Sequence, residues 1–458
     1  MSGLTPAQAR FLGELFPGDG FTAVPEETCA FGADASRLFE APWAVVRPES
    51  EEQVVRLMAW AQEEGMPLFP RARGTNVVGA CVPRGGGVVV STLRMNRILE
   101  IDAQDFVAVV QPGVVTADLQ KELDRHGLMY PPDPASVRIS TIGGNVATCA
   151  GGMRAVKYGV TRDYVLGVRA VLPGGRVLYT GGRNHKNVVG LDLARLFVGS
   201  EGTLGLLTEI TLKLLPKPEA TASVLAGWPD TDGALGAARD IFAAGILPAA
   251  MEFMERDVLK AVAKVGEVPW PEGTGAALLL RLDGGRKALA ADLDRLEQVV
   301  RSASPSFLLR GLGAREEEPL WEVRRLINPA SFKVAPDKLS DDITVPRSKV
   351  RNAVDGIRKI ATEAGLTVLV FGHLGDGNLH VNVMHDKAAG EGDRALQVKS
   401  QVVELVLSLG GTMSGEHGVG LTKYAHLGKQ LSPLESEIMH YIKKVFDFKG
   451  ILNPGKGY

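Results

Sequence analysis

Phe197-Val198-Gly199-Ser200-Glu201-Gly202-Thr203-Leu204-Gly205 places glycines and small hydroxyl residues immediately before an apolar run, 207–215, that reads as a strand. Backbone without Cβ atoms lets a flat or phosphorylated ligand come close, and successive N–H groups in a tight loop can converge on an anion. Two stretches upstream have the same character. Pro70-Arg71-Ala72-Arg73-Gly74-Thr75-Asn76 follows an apolar segment and leads to Gly79. Pro132-Asp133-Pro134 is followed by Thr141-Ile142-Gly143-Gly144-Asn145 and Gly151-Gly152. No strand–GxGxxG–helix unit and no GxxxxGK[ST] is present, so neither the Rossmann nor the Walker fingerprint applies and the cradle is of another kind.

These loops sit among short β-branched runs: Trp43-Ala44-Val45-Val46, Gly87-Val88-Val89-Val90 and Phe106-Val107-Ala108-Val109-Val110. They predict strands bounded by turns. Val54, Val55, Met58, Ala59 and Ala61 recur at helical spacing over 51–64, with Gly65 as the stop. A second helix is expected after Thr116 as N-cap, running through Leu119 and Leu123 to Gly127. Pro216-Lys217-Pro218-Glu219 then breaks the pattern. Beyond it, helical segments (234–244, 287–303, 346–364, 395–409, 433–446) alternate with strands (276–282, 367–371, 379–384), which predicts an α+β domain with hairpins. The expected division is an N-terminal helical segment 1–34, a glycine-loop domain 35–217 and an α+β domain 218–458.

Composition narrows the function. The chain has 458 residues, 45% hydrophobic and 23% charged, which excludes disorder and collagen. With 51 Lys plus Arg against 53 Asp plus Glu, it has no general attraction for nucleic acid or anionic lipid. Cys29, Cys81 and Cys149 are far apart and lack CxxC spacing, which argues against disulfides, a zinc ribbon or an iron–sulfur cluster. No run of 18 apolar residues exists and the start is unlike a signal peptide. The expectation is a cytoplasmic protein that reaches a membrane only through a partner, without a transmembrane segment.

At the glycine loops the chain resembles the FAD-binding domain of the vanillyl-alcohol oxidase and p-cresol methylhydroxylase (PCMH) superfamily, over roughly residues 35–216. The resemblance implies that the first loop holds the pyrophosphate, the middle segment lies along the flavin, and the Gly-Ser-Glu-Gly-Thr-Leu-Gly segment closes the site. It implicates Arg71, Arg73, Gly74, Thr75, Asn76, Gly79, Asp133, Thr141, Gly144, Asn145, Gly151, Gly202 and Ile210. Some relatives attach flavin covalently through a His in or near the first loop. Residues 71–81 contain none, so FAD is expected to be non-covalent. Cys81 and Cys149 are expected to be small buried residues rather than reactive thiols.

Five of the eight His lie between His373 and His426. Asp376-Gly377 in Phe371-Gly372-His373-Leu374-Gly375-Asp376-Gly377-Asn378-Leu379-His380-Val381-Asn382-Val383 is a hairpin-turn signal. A turn centred there pairs His373 with His380, close enough for two imidazoles to share a cation, with Asn382 on the same face. In Ser414-Gly415-Glu416-His417-Gly418-Val419-Gly420, Glu416 offers a carboxylate that completes a two-His, one-carboxylate set, and His417 beside it can act as a base.

These two segments, with the ending Phe446-Asp447-Phe448-Lys449-Gly450-Ile451-Leu452-Asn453-Pro454-Gly455-Lys456, resemble the C-terminal domain of FAD-linked D-lactate, glycolate and D-2-hydroxyglutarate dehydrogenases. The resemblance implies that His373, His380 and Glu416 bind a divalent metal (Zn, Mn, Fe or Co) and that His417 is the base. It further implies that Arg324, in Trp321-Glu322-Val323-Arg324, grips the substrate carboxylate. Arg325 and Lys338 are neighbouring candidates for substrate contact. The implied reaction is oxidation of a small D-2-hydroxy acid by hydride transfer to FAD. The electrons would go to an external acceptor, an iron–sulfur subunit, an electron-transfer flavoprotein or a quinone, in a homo-oligomer or a complex. Relatives specialised for the larger diacid have Lys where this chain has Ser340 and Thr where it has Asn328, which tilts the expectation to D-lactate or glycolate. The same FAD domain occurs in a non-redox ether-lipid synthase and in accessory flavin subunits, the rival readings.

Overall fold

The computed structural model describes residues 3–458, which form two compact units. One contains the chain up to Gly151, Val160–Lys217 and Glu416–Tyr458; the other contains Gly152–Gly159 and Pro218–Gly415.

The first unit holds two larger sheets and a two-stranded one, Leu128–Met129 with Leu215–Pro216. In the four-stranded one, Phe21–Thr22, Ala44–Val46, Val88–Ser91 and Leu68–Arg71 lie in that order, and the last three are mutually parallel. Both faces of such strands are covered, which explains their continuous valine runs. The helix Glu51–Glu64 packs Val54, Leu57, Met58 and Ala61 into the same core and stops at Gly65, φ +65°. The residues before position 35 belong to this unit: Leu12, Leu15 and Phe16 enter its core, and Phe21–Thr22 adds a strand. The C-terminal tail joins it too. Leu68 N–H donates to the Ile451 carbonyl at 2.8 Å, and Asn453 N–H to that of Leu68 at 2.8 Å.

The five-stranded sheet runs Ile98–Asp102, Val107–Val110, Leu206–Lys213, Val165–Leu172, Arg176–Gly181, all antiparallel. Thr116 does not cap the helix Thr116–Asp124. Its hydroxyl instead donates to the Ser140 carbonyl and accepts from Asn145 Nδ2, tying the helix start to a glycine loop.

The second unit is a seven-stranded antiparallel sheet in the order Phe307–Leu312, Ala220–Trp228, Ala276–Gly284, Ala250–Glu255, Thr367–His373, Asn378–His385, Asp337–Thr344. Alternation sorts its side chains. Met251, Phe253, Val368, Val370, Leu379, Val381 and Val383 face one core, with helices Thr231–Ala243, Arg286–Ser302, Val350–Glu363 and Gly392–Ser408 packed over it. Ala250, Met254, Leu369, Phe371 and Met384 face the other, under helices Arg256–Val262, Ala314–Arg325 and Ile327–Ser331. Burying each such large apolar side chain contributes about 1.5–3 kcal/mol, so a polar residue on this second face is conspicuous. Among the described residues no helix is long and apolar enough to cross a membrane.

Candidate active site

Glu252, His373, His380, Asn382 and Asp342 of the second unit share that face. The hairpin register differs from the expected one: His373 lies opposite Asn378, and His380 opposite Phe371. The loop is the four residues 374–377 rather than a two-residue Asp-Gly turn. Asn378 N–H donates to Asp376 Oδ1, and Gly377 at φ +82° lies where a Cβ would meet the Val345 carbonyl. The shift is two residues, so alternation keeps His373, His380 and Asn382 on one face. The His rings meet edge to face, with Nε2 atoms 3.4 Å apart.

Two nitrogens each about 2.0–2.1 Å from one tetrahedral ion stand about 3.3 Å apart, so the pair suits a shared cation. His373 Nδ1 lies 2.5 Å from Glu252 Oε1. Glu252 is fully buried in Ala250–Glu255, directly opposite His373. Its other oxygen accepts from Arg324 Nε at 2.6 Å. Burial pushes the Glu252 carboxyl up, but the adjoining His373 and Arg324 outweigh it and hold it at about 2.

Arg324 faces the sheet because its helix is pinned there. Buried Glu317 accepts from the Ser223 hydroxyl and from Arg281, Trp321 Nε1 donates to Ser223, and Arg281 stacks on the Trp321 ring. Positions 317, 321 and 324 share one helical face. The Arg324 guanidinium lies over Phe371, 4.9 Å from the ring centre. Arg325 turns outward into pairs with Glu318 and Glu322, which is the solvated helix face. Lys338 lies over Phe332 and donates to Asn328.

Asp342, wholly buried, sits opposite His380 and accepts the Gly415 N–H at 2.7 Å and the Ser414 hydroxyl at 3.2 Å. It thereby fixes the chain one residue before Glu416.

In the first unit, Glu416 and His417 line a cavity of about 430 Å³ together with Arg71, Gly74, Thr75, Asn76, Thr141, Gly144, Asn145, Gly151 and Gly202. Arg73, Gly79, Asp133 and Ile210 do not line it: Arg73 is exposed, and Ile210 is core, between Val110 and Val168. Two glycines lie where the chain passes close. A Cβ at Gly151 would come within 3.0 Å of Glu416 Oε2, and one at Gly143 within 2.5 Å of Pro112. Thr141 caps the helix Ile142–Thr148 through the Gly144 N–H. The volume and glycine lining suit a flat phosphorylated cofactor such as FAD.

The 416–422 segment is held by this cavity's own loops. Asn76 Nδ2 donates to the His417 carbonyl at 2.9 Å, and Leu421 N–H to that of Val78 at 2.7 Å. Glu201, 6% exposed, accepts the N–H groups of Val419 at 2.6 Å and Gly420 at 3.0 Å. Burial pushes its carboxyl above the ordinary range, against these bonds. Cys81 is buried beside Arg71 and its thiol is pushed up to about 11 by burial; Cys149 is half-buried and Cys29 exposed.

Sequence reasoning assigned no role to Glu201, Glu252 or Asp342. Glu201 was within a quoted motif. Glu252 lay in Ala250-Met251-Glu252-Phe253-Met254, a run with no polar–apolar alternation to mark it as a strand.

The sequence matches the family described as FAD binding domain over residues 42–181 and that described as FAD linked oxidases, C-terminal domain, over residues 217–457. It is 40% identical to glycolate oxidase subunit GlcD of Bacillus subtilis, covering 93% of this chain and 91% of the relative. It is 37% identical to D-lactate dehydrogenase of Anaerostipes hadrus, over 91% and 89%. D-2-hydroxyglutarate dehydrogenase of Stutzerimonas stutzeri is also 37% identical, over 93% of each chain. Among solved structures, substrate-bound p-cresol methylhydroxylase superposes with a TM-score of 0.81 at 17% identity, over 99% of this chain and 97% of that one, a likeness of fold. The chain therefore belongs to the FAD-linked oxidases, as an α+β flavoprotein of the glycolate oxidase, D-lactate and D-2-hydroxyglutarate dehydrogenase type.

Proposed function

We propose that the protein oxidises a small D-2-hydroxy acid, D-lactate or glycolate, to the 2-oxo acid and passes the electrons to an external acceptor. The observation that carries this reading is the His373–His380 pair, joined through Glu252 to Arg324. A cation site beside an anion grip is what a 2-hydroxy carboxylate requires.

In this reading His373, His380 and Glu416 hold one divalent cation, Zn, Mn, Fe or Co. The residues lining the cavity hold FAD non-covalently. When bound, FAD supplies the hydride acceptor at N5 and the cation supplies positive charge that makes the substrate hydroxyl more acidic. Arg324 grips the substrate carboxylate and Asn382, buried on the same face, orients the substrate. His417 removes the hydroxyl proton, which general-base action requires within hydrogen-bond reach. The acceptor is an iron–sulfur subunit, an electron-transfer flavoprotein or a quinone. That the Bacillus relative is named as a subunit supports a complex.

A panel of D- and L-2-hydroxy acids mixed anaerobically with the holoprotein tests the reading. Bleaching of the flavin band by D-lactate or glycolate, and not by L-lactate, is expected. No bleaching by any 2-hydroxy acid would refute it and favour the non-redox synthase alternative. A second substrate, D-2-hydroxyglutarate, is favoured by Lys338, which is held by Asn328 on the face that carries His380 and Asn382. A higher rate with the diacid than with D-lactate, lost in Lys338→Met, would establish it.

A further inference from the structure

Glu252 touches two side chains that have different tasks. It is fully buried in the strand Ala250–Glu255, and its oxygens divide between them: Oε1 lies 2.5 Å from His373 Nδ1 and Oε2 2.6 Å from Arg324 Nε. A carboxylate only accepts, so Nδ1 of His373 carries the hydrogen and its Nε2 lone pair points to the side where His380 Nε2 stands, 3.4 Å away. Arg324, engaged through Nε and backed by Phe371, keeps its two Nη groups as the fork for a carboxylate.

We infer that Glu252 is a positioning residue that couples cation binding to substrate binding, by fixing the tautomer and aim of His373 with one oxygen and the plane of Arg324 with the other. The inference rests on the function proposed above. Carboxylates behind metal-ligating histidines commonly set affinity, and their loss lowers it by about 10–100-fold. Here the same anion also orders the substrate grip, so a single substitution is expected to move two properties that a simple ion pair would leave alone.

The test uses FAD-loaded full-length protein. Mn²⁺ binding is measured at equilibrium, with KM and kcat for D-lactate and thermal unfolding followed in parallel. Glu252→Gln, close in volume, is expected to keep the flavin absorbance, weaken Mn²⁺ binding by about 10–100-fold and raise KM. Glu252→Asp keeps the charge on a shorter arm; it is expected to recover part of the Mn²⁺ affinity and serves as the folded comparison if the Gln variant is unstable. Wild-type Mn²⁺ affinity and KM in either folded variant, with only the melting temperature lowered, would overturn the inference and leave Glu252 a structural ion pair. Wild-type protein that takes up no Mn²⁺ would also overturn it, while flavin bleaching by D-lactate in that protein would leave the oxidation reading standing. Conversely, Mn²⁺ binding that depends on Glu252 in a protein bleached by no 2-hydroxy acid supports Glu252 and removes the proposed reaction.

Discussion

Glu201 and Glu252 are both buried carboxylates, one in each unit, yet their surroundings shift them in opposite directions. Glu201 meets backbone: the N–H groups of Val419 and Gly420. Burial outweighs those bonds and the charges of Lys456 and Lys423, and its carboxyl rises above the ordinary range. Glu252 meets cations, and His373 with Arg324 overcomes burial and holds it at about 2. The cofactor cavity thus uses an acid to shape a loop, whereas the sheet face uses one to aim side chains. Damage to the first should appear as lost fold and lost flavin. Damage to the second should appear as lost ligand affinity.

The strongest challenge to that distinction is His417, which sits on the loop Glu201 shapes but is assigned chemistry. His417→Ala should retain FAD and slow flavin reduction by about 10²–10⁴-fold, read by anaerobic stopped flow. A wild-type rate would remove it as the base.

Glu201→Ala should leave two buried N–H groups without an acceptor, at about 1–3 kcal/mol each. Denaturant unfolding of the holoprotein should fall accordingly, with flavin released on dialysis. Unchanged stability with lost turnover would instead place Glu201 with the chemical groups and break the comparison.

A pH series sharpens it further. Glu201 has a folded pKa raised above its ordinary 4.5, so the folded protein holds its proton longer than the unfolded chain does. Its contribution is complete below about 4.5 and is lost as pH rises through the folded value. Glu201→Gln should remove that downward slope from the stability curve; an unaltered slope would show that the carboxyl is not displaced upward in the fold.

The smallest effect concerns two thiols, one of them in the cavity wall. Cys29 is exposed, whereas Cys81 is buried with its thiol pushed up to about 11. At pH 8, alkylation followed by peptide mapping should modify Cys29 first and leave Cys81 until the protein unfolds. Early modification of Cys81 would mean that the cavity wall opens more readily than its packing indicates.

How much of this was legible in the sequence differs between the two units for a physical reason. Loops that need glycine announce themselves, because Gly74 at φ +67° and Gly202 at φ +71° occupy conformations other residues avoid. The hairpin face was legible because alternation survives a two-residue slip, but its register was not. Asp376-Gly377 favours a two-residue turn locally, and the packing of Gly377 against Val345 selects the longer loop.

The strand Ala250–Glu255 was illegible. Ala, Met and Glu favour helix in isolation, and only pairing with Ala276–Gly284 and Thr367–His373 makes the segment extended. Glu252 was hidden with it. Arg324 was set apart from its neighbour Arg325 by resemblance alone; the physical difference, which face of their helix meets the sheet, lies in the contacts of Glu317 and Trp321.

A divalent cation at the histidine pair is expected to act in flavin reduction. The most direct measurement is the rate of anaerobic flavin bleaching by D-lactate in holoprotein stripped with a chelator, before and after Mn²⁺ is restored, alongside His380→Ala. Slow bleaching that Mn²⁺ rescues in the wild type but not in the variant is predicted. Equal rates in stripped and restored protein would contradict the account.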